Sequence, residues 1–191
     1  EQLGLIIDGA RMVTPRVLEY AWLAHLMSDE SLVMVPGYHL GEKDQKFHLE
    51  TGHSEALEIE KLAEMRWQED GYQLFSWACW SPSNLRGYLQ PMLECNAFFC
   101  KRSTFLAIGG LDPRFDQPGG GSVNLYIYRR LGLIPDSRLY VLPGEGSFHQ
   151  FHGGVTTKQL STEEERLAML KVFDARLEEV WGGEFNSLTR E

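Results

Sequence analysis

Residues 3–10 have the sequence LGLIIDGA, in which a short apolar run leads directly into an aspartate. Such a run is typical of a strand that is buried on both faces of a parallel sheet. Thr14-Pro15 follows and predicts the start of a helix that runs to about His25, with Thr14 as its cap. Residues 31–36, SLVMVP, predict a second buried strand. Strand, helix and strand together predict an α/β fold in which the two strands are parallel neighbours.

Asp8 falls at the carboxyl end of the first predicted strand. Ligands of open α/β sheets bind just beyond such ends, so Asp8 is a candidate metal ligand. A single aspartate in this position is also a common turn or cap residue, because its side chain readily bonds nearby backbone amides. Position alone leaves both roles open.

The composition is that of one soluble globular domain. The chain has 191 residues, of which 43% are hydrophobic and 12% aromatic, and this is enough to close a core. The net charge of -9 argues against a nucleic-acid partner. No apolar run approaches the roughly 20 residues that cross a bilayer, and no leader sequence opens the chain, so we expect a cytoplasmic location. The three cysteines lack C-x-x-C spacing and fit small buried side chains in a reducing compartment.

The middle of the chain predicts a long loop followed by short elements. Residues 37–53 are polar and contain several glycines, and Ser54 then caps a predicted helix that ends near Trp67. Residues 95–100 predict a strand. Further elements are a short helix that opens at residues 101–105 and stops at Gly109-Gly110, a glycine turn at 118–121, a helix over 122–131 and a late strand over 139–142.

The last predicted element is a helix that packs against the rest of the domain. Ser161 and Glu164 have the spacing of a capping box. Apolar residues then recur at helical spacing until Trp181, which is followed by Gly182-Gly183. We assign this helix no chemistry.

His149 and His152 are the other candidate metal ligands. Histidines three residues apart share a face only in a helix and point to opposite faces in an extended chain. Their spacing alone therefore does not decide between metal ligation and an ordinary structural role.

Taken in order along the chain, several motifs resemble the bacterial family-2-like glycosyltransferases of the GT-A fold. The resemblance covers roughly residues 3–157 and rests on motifs that stand in the family's order. These motifs are Ile7-Asp8-Gly9-Ala10 with Thr14-Pro15, Asn96-Ala97 with Lys101-Arg102 and Phe105, residues 109–115 (GGLDPRF), the segment from Pro118 to Arg129, and His149 with His152.

The resemblance implies an α/β fold with a mixed, mostly parallel sheet and flanking helices. It also implies a metal-assisted transfer of sugar from a nucleotide-diphosphate donor to an unknown acceptor. The metal would be held by Asp8, His149 and His152, and an Asp–His site favours Mn²⁺ over Mg²⁺. Asp116 is the nearby carboxylate that could act as the catalytic base. Arg11 would bind phosphate, with a surface arginine as the alternative, and Trp77 or Trp80 would stack on a sugar, with a place in the core as the alternative. Asn96, Gly120 and Gly121 would also bind substrate.

The sequence departs from the family pattern at two chemically important positions. Ala10 stands where the motif has a second acidic residue, and Asn124 stands where the usual general base would be. An amide cannot accept a proton as a carboxylate does. The alternative interpretation is a catalytically reduced GT-A-like module that binds glycan or protein.

The resemblance further predicts that the chain is the C-terminal, acceptor-side part of such a domain, truncated at its N-terminus. It would form a single domain over 1–191, with a core at 3–157 and a packing helix at 161–181. The strands that hold the nucleobase would be missing. Leu5 and Ile7 would then be protected only by self-association or by rearranged loops.

Overall fold

The computed structural model describes residues 1–7, 11–152, 162–186 and 188. Within them the chain forms eight strands and six α-helices, with several short 3-10 turns. The strands are β1 (Gln2–Ile6), β2 (Arg11–Val13), β3 (Ser31–Met34), β4 (Gly37–Leu40), β5 (Ala78–Trp80), β6 (Ala97–Lys101), β7 (Arg138–Val141) and β8 (Ser147–His149). The helices are α1 (Val17–Met27), α2 (His48–Thr51), α3 (Glu55–Glu64), α4 (Arg102–Ala107), α5 (Val123–Gly132) and α6 (Glu163–Trp181).

The first of two four-stranded sheets, sheet A, has the strand order β1-β6-β3-β7. β6 is antiparallel to both β1 and β3, whereas β3 and β7 are parallel. The predicted α/β class is confirmed, but the prediction of a mostly parallel sheet is wrong. β1 and β3 do run in the same direction, yet they are not neighbours, because β6 lies between them.

β6 takes the central place because it is apolar on both faces. Phe98 and Cys100 pack on one face with residues of α5, including Ile127 and Leu131. Ala97 and Phe99 pack on the other face with α1. Sheet A is therefore the middle of three layers, with α1 and α5 outside it.

β1 is an edge strand, which corrects the prediction of a strand buried on both faces. Leu3, Leu5 and Ile7 are half-buried against the core, while Gly4 and Ile6 are exposed, Ile6 by 42%. The strand pairs only with β6 among the described residues, so one edge and much of one face lack cover.

The second sheet, sheet B, continues three strands of sheet A. β1, β3 and β7 lead along the chain toward β2, β4 and β8, and sheet B has the order β2-β8-β4-β5. β8 is parallel to β4 and antiparallel to β2, and β5 is antiparallel to β4. Because β1, β3 and β7 run in one direction, their carboxyl ends meet at the rim where sheet B forms.

The predicted loop over residues 37–53 and the predicted helix cap at Thr14 are both wrong. Residues 37–53 do not form one loop, since β4, a 3-10 turn and α2 occupy most of the segment. Thr14 does not cap α1; its hydroxyl donates to the buried Glu145 carboxylate and accepts the Gly146 N–H at 3.0 Å. The N-cap of α1 is Arg16, without a side-chain cap bond.

The predicted elements from Ser54 onward are mostly confirmed. Ser54 caps α3 by accepting the Leu57 N–H at 3.3 Å, although the helix ends at Glu64. α4, α5 and β7 lie within two residues of their predicted bounds. The capping box of the last helix falls one residue later than predicted, on Thr162 and Glu165.

Among the described residues, helix α6 packs along its second half. Leu177 and Val180 are buried with Phe115 and Tyr126, whereas Leu167 and Leu170 are 49% and 40% exposed. The predicted packing of this helix is therefore confirmed for its second half, and the exposed apolar residues Leu167 and Leu170 lie in its first half. In the described part of the chain, no helix has the length and apolarity needed to cross a membrane.

Candidate functional site at the rim of sheet A

The rim gathers several of the residues that the sequence singled out. Ile7 donates its N–H to the carbonyl of Asn96 at 2.8 Å. Arg11, on the other side of residues 8–10, is the register partner of His149 in the β2–β8 ladder. Ile7, which precedes residues 8–10, is thus bonded to Asn96, and Arg11, which follows them, is paired with His149. Asp8 itself lies outside the described residues.

The side chains of His149 and His152 lie close together, although residues three apart in an extended chain point to opposite faces. Their rings are 5.0 Å apart between centroids, and their Nε2 atoms are 3.2 Å apart. Two imidazole nitrogens at this distance either share a proton or bind the same cation. Two nitrogen ligands at about 2.1 Å from one ion, at angles near 90° to 110°, stand about 3.0 to 3.4 Å apart. The pair therefore fits two neighbouring ligands of one metal ion.

Gln45 fixes the protonation pattern of His149. Its Nε2 donates to the backbone carbonyl of His149 at 2.9 Å, which turns its Oε1 toward the imidazole Nδ1 at 2.6 Å. An amide oxygen accepts, so Nδ1 carries the proton and Nε2 presents its lone pair toward His152. This is the tautomer that binds a metal through Nε2, with the second nitrogen held by a neighbouring acceptor.

His39 extends the group of imidazoles along sheet B. Its ring centroid lies 5.5 Å from that of His149, and its Nδ1 accepts the backbone N–H of Gln45 at 3.2 Å. Burial lowers the pKa of His39, against the opposing effect of the Asp44 carboxylate at 3.4 Å. A neutral His39 adds no positive charge next to the His149–His152 pair, which favours cation binding there.

Across the described ranges 1–7, 11–152, 162–186 and 188, no three His, Cys, Asp or Glu side chains lie close enough to hold a metal ion. The two histidines therefore supply part of a ligand set at most within these ranges. A hard cation completes its shell with carboxylate, phosphate or water oxygens.

A buried glutamate that contacts a buried histidine holds the histidine segment against α3. Glu58 is 3% exposed, accepts the backbone N–H of Phe151 at 2.9 Å and lies 3.1 Å from His53 Nε2. His53 is in turn stacked on Trp77, with centroids 5.3 Å apart. Phe151 stands between the two histidines in sequence, so this contact fixes the backbone on which both depend.

Asn96 belongs to a polar cluster on the other side of the rim. The Asn124 amide donates to Asn96 Oδ1 at 2.7 Å and to Glu94 Oε2 at 2.9 Å. Asn124 lies in the first turn of α5, directly after the glycine turn. Gly120 and Gly121 have φ angles of 77° and 53°, which residues with a side chain rarely adopt. The glycines thus serve the turn that delivers Asn124 to Asn96.

Of the remaining predicted residues, Asp116 and Trp80 lie apart from the histidine pair, whereas Arg11 lies beside it. Asp116 has a side chain that is 69% exposed and 3.7 Å from Arg176 Nη2. Trp80 lies on β5, two strands from β8, where it packs edge-on against Tyr38 and Tyr88. The Arg11 guanidinium donates to Ile7 O at 3.1 Å and to Ser147 Oγ at 3.3 Å. These bonds orient Arg11 within the rim.

Gln45, Glu58 and Glu94 were not among the residues predicted from the sequence. Gln45 lies in a segment that was predicted to be a loop, and Glu58 lies in a predicted helix. Polar residues are expected in both, so neither residue stood out. Glu58 had no signal in the sequence, where the apolar Ile59 is the expected inward-facing neighbour; in the structure Ile59 is 63% exposed and Glu58 is 3% exposed. Glu94 had no signal beyond its place two residues before Asn96.

No protein-family model, curated protein or solved structure matches this chain. The class that can be stated is therefore a mixed α/β protein with two mixed sheets and a polar rim that joins them.

Proposed function

We propose that the chain is a glycosyltransferase domain that transfers sugar from a nucleotide-diphosphate donor at the rim of sheet A, with the help of a divalent metal. The observation that supports this most strongly is the pairing of His149 with Arg11, next to the acidic motif, while His149 Nε2 lies 3.2 Å from His152 Nε2. The two imidazoles would hold the metal together with Asp8. Mn²⁺ is the expected ion, because imidazole suits it better than Mg²⁺.

The bound metal would neutralise the charge that develops on the leaving diphosphate. His149 is oriented for this role by Gln45, and the backbone of the histidine segment is held by Glu58. Arg11 lies at the same rim and supplies a positive charge near the phosphates.

Glu94 is a better-placed base than Asp116 in this proposal. Its carboxylate is half-buried and receives the Asn124 amide, which fixes its orientation beside Asn96. A positioned carboxylate can accept the proton of an acceptor hydroxyl. The Asp116 side chain is mostly exposed and near Arg176 instead. Asn124, which stands where the family has its acidic base, would then orient the Glu94 carboxylate instead of accepting the proton itself.

The direct test of the metal site is calorimetry with Mn²⁺ on the full chain. We expect binding by the wild type and a larger loss in affinity in His149→Ala and Asp8→Ala than the roughly 10- to 100-fold that removal of an outer-shell partner causes, because each variant removes a direct ligand. Asp29→Ala, which removes an exposed carboxylate outside the rim, is the matched control. Unchanged affinity in both rim variants would leave the metal site unsupported, and loss with His152→Ala alone would transfer the role to that residue.

Release of nucleoside diphosphate from a panel of nucleotide sugars tests the catalytic part. The wild type should release it in the presence of Mn²⁺, and Glu94→Gln should release it far more slowly than Asp116→Asn. Equal rates for the two variants would argue against Glu94 as the base.

A glycan-binding module without catalysis is the second candidate function. Two observations favour it: Asn124 in place of a base, and Trp80 and Tyr88, which are 36% and 44% exposed and form an aromatic surface on which a sugar ring can stack. Glycan binding that persists in a chelator and is lost in Trp80→Ala, without release of nucleoside diphosphate, would favour this function over the enzyme.

A further inference from the structure

Helix α1 is apolar around almost its whole circumference. Val17, Ala21 and Ala24 bury one side against sheet A. On the other side the helix exposes five large apolar side chains. These are Leu18 at 67%, Trp22 at 55%, Leu23 at 47%, Leu26 at 66% and Met27 at 73%. A helix that is apolar all round is normally covered on all sides, and in the described part of the chain no element covers this stripe.

The stripe continues into a groove beside the helix. A cavity of about 520 Å³ opens between α1 and residues 140–145, and Leu23 and Met27 line it. Tyr20, Tyr72 and Tyr140 form much of the remaining wall. The apolar surface is therefore broader than one helix face.

The geometry points to a second copy of this chain as the partner, packed with its α1 antiparallel to this one about a two-fold axis at Trp22. Leu18, Trp22 and Leu26 are spaced four residues apart and form a row centred on Trp22, and Leu23 and Met27 lie beside this row toward the groove. In an antiparallel pair, Leu18 of each copy meets Leu26 of the other. A two-fold interface requires such a self-complementary surface.

Charge supports a protein partner rather than a lipid surface. α1 contains a single acidic residue, Glu19, and its carboxylate is paired with Arg16 at 2.7 Å. Helices that lie on membranes carry many Lys and Arg residues on their polar side. This helix has none, and the chain's net charge of -9 opposes anionic lipids.

The area of the stripe reaches what a small dimer interface needs. The five exposed side chains offer on the order of 500 Å², at the upper end of the apolar patches that monomers expose. Two copies would together bury on the order of 1,000 Å², the lower limit for a specific interface. This proposal is independent of the sugar-transfer function.

Sedimentation of the full chain over a wide concentration range tests the proposal. The wild type should move from monomer to dimer as concentration rises. Trp22→Asp should weaken the dimer by roughly thirtyfold or more, the size of a hot-spot loss. Leu89→Asp is the matched control, since Leu89 is 95% exposed and lies away from α1, and it should leave the dimer intact. Circular dichroism confirms folding, and Leu26→Lys replaces Trp22→Asp if that variant does not fold.

Cysteine cross-linking locates the axis. Trp22→Cys should form a disulfide-linked dimer on mild oxidation, because a residue on the axis faces its own copy, whereas Leu89→Cys should not. Three results would overturn the proposal. They are a wild type that stays monomeric at every concentration, equal dissociation by Trp22→Asp and Leu89→Asp, and flotation of monomeric wild type with anionic vesicles.

Discussion

His25 shows how a single buried residue makes the stability of this chain depend on pH. The side chain is 8% exposed, its Nδ1 lies against the Ser31 hydroxyl, and its Nε2 has no partner among the described residues. Burial lowers the pKa of His25, because a charged imidazole would lose its hydration there. The folded protein therefore holds this residue neutral over a range in which the unfolded chain accepts a proton.

The expected consequence is a loss of stability in acid. As the pH falls below about 6.5, the unfolded chain binds a proton at His25 that the folded chain does not bind, so the free energy of unfolding decreases. His25→Asn should reduce the slope of unfolding free energy against pH between roughly pH 5 and 7. Urea titrations at several pH values measure this slope. Equal slopes in wild type and His25→Asn would contradict the assignment.

At the scale of secondary-structure elements, α3 supports the histidine segment through one carboxylate. Glu58→Ala removes the acceptor of the Phe151 N–H and the partner of His53, both in buried surroundings. Each lost buried partner costs about 1 to 3 kcal/mol, so we expect about 3 kcal/mol of destabilisation. Glu60→Ala, on the exposed side of the same helix, should change stability by no more than about 0.5 kcal/mol.

Denaturant unfolding and hydrogen exchange of residues 147–152 measure the effect of Glu58→Ala. Exchange should accelerate in that segment more than in sheet A. A variant as stable as Glu60→Ala would show that other contacts hold the histidines in place.

The elements that sequence predicts well are those defined by local signals. Ser54 caps α3 as its position suggests, and the apolar run over residues 31–34 forms the buried strand β3. The failures involve partners distant in sequence. The pattern of residues 3–7 does not indicate that residues 97–101 will pair beside them. Thr14 has the local sequence of a helix cap, and its partner Glu145 is distant in sequence. The site follows the same division: His149 and Asn96 were found from motifs, whereas Gln45 and Glu94 act through tertiary contacts.

At the scale of the whole molecule, the two sheets are built from shared stretches of chain. β3 continues into β4 across Val35 and Pro36, and the Pro36 carbonyl accepts the N–H of Ser147 in β8 at 2.9 Å. Loss of sheet A therefore removes the support of the strands that carry His39 and His149. We expect the two sheets to unfold as one cooperative unit.

Phe98 in β6 tests this coupling. The side chain is fully buried between β6 and α5, in contact with no part of sheet B's own core cluster, so its direct effect is confined to sheet A. Phe98→Ala should cost about 3 to 5 kcal/mol, a large share of the roughly 5 to 15 kcal/mol that stabilises a typical domain. Leu106→Ala, at a position 54% exposed on α4, is the control and should have little effect.

Hydrogen exchange followed by mass spectrometry measures the protection of both sheets in one experiment. If the chain is cooperative, peptides from β4 and β8 lose protection together with those from β3 and β6, because opening of sheet A releases the shared strands. Faster exchange in sheet A alone would instead define sheet B and its histidines as an independent unit, held by the cluster of Leu40, Leu74 and Phe148.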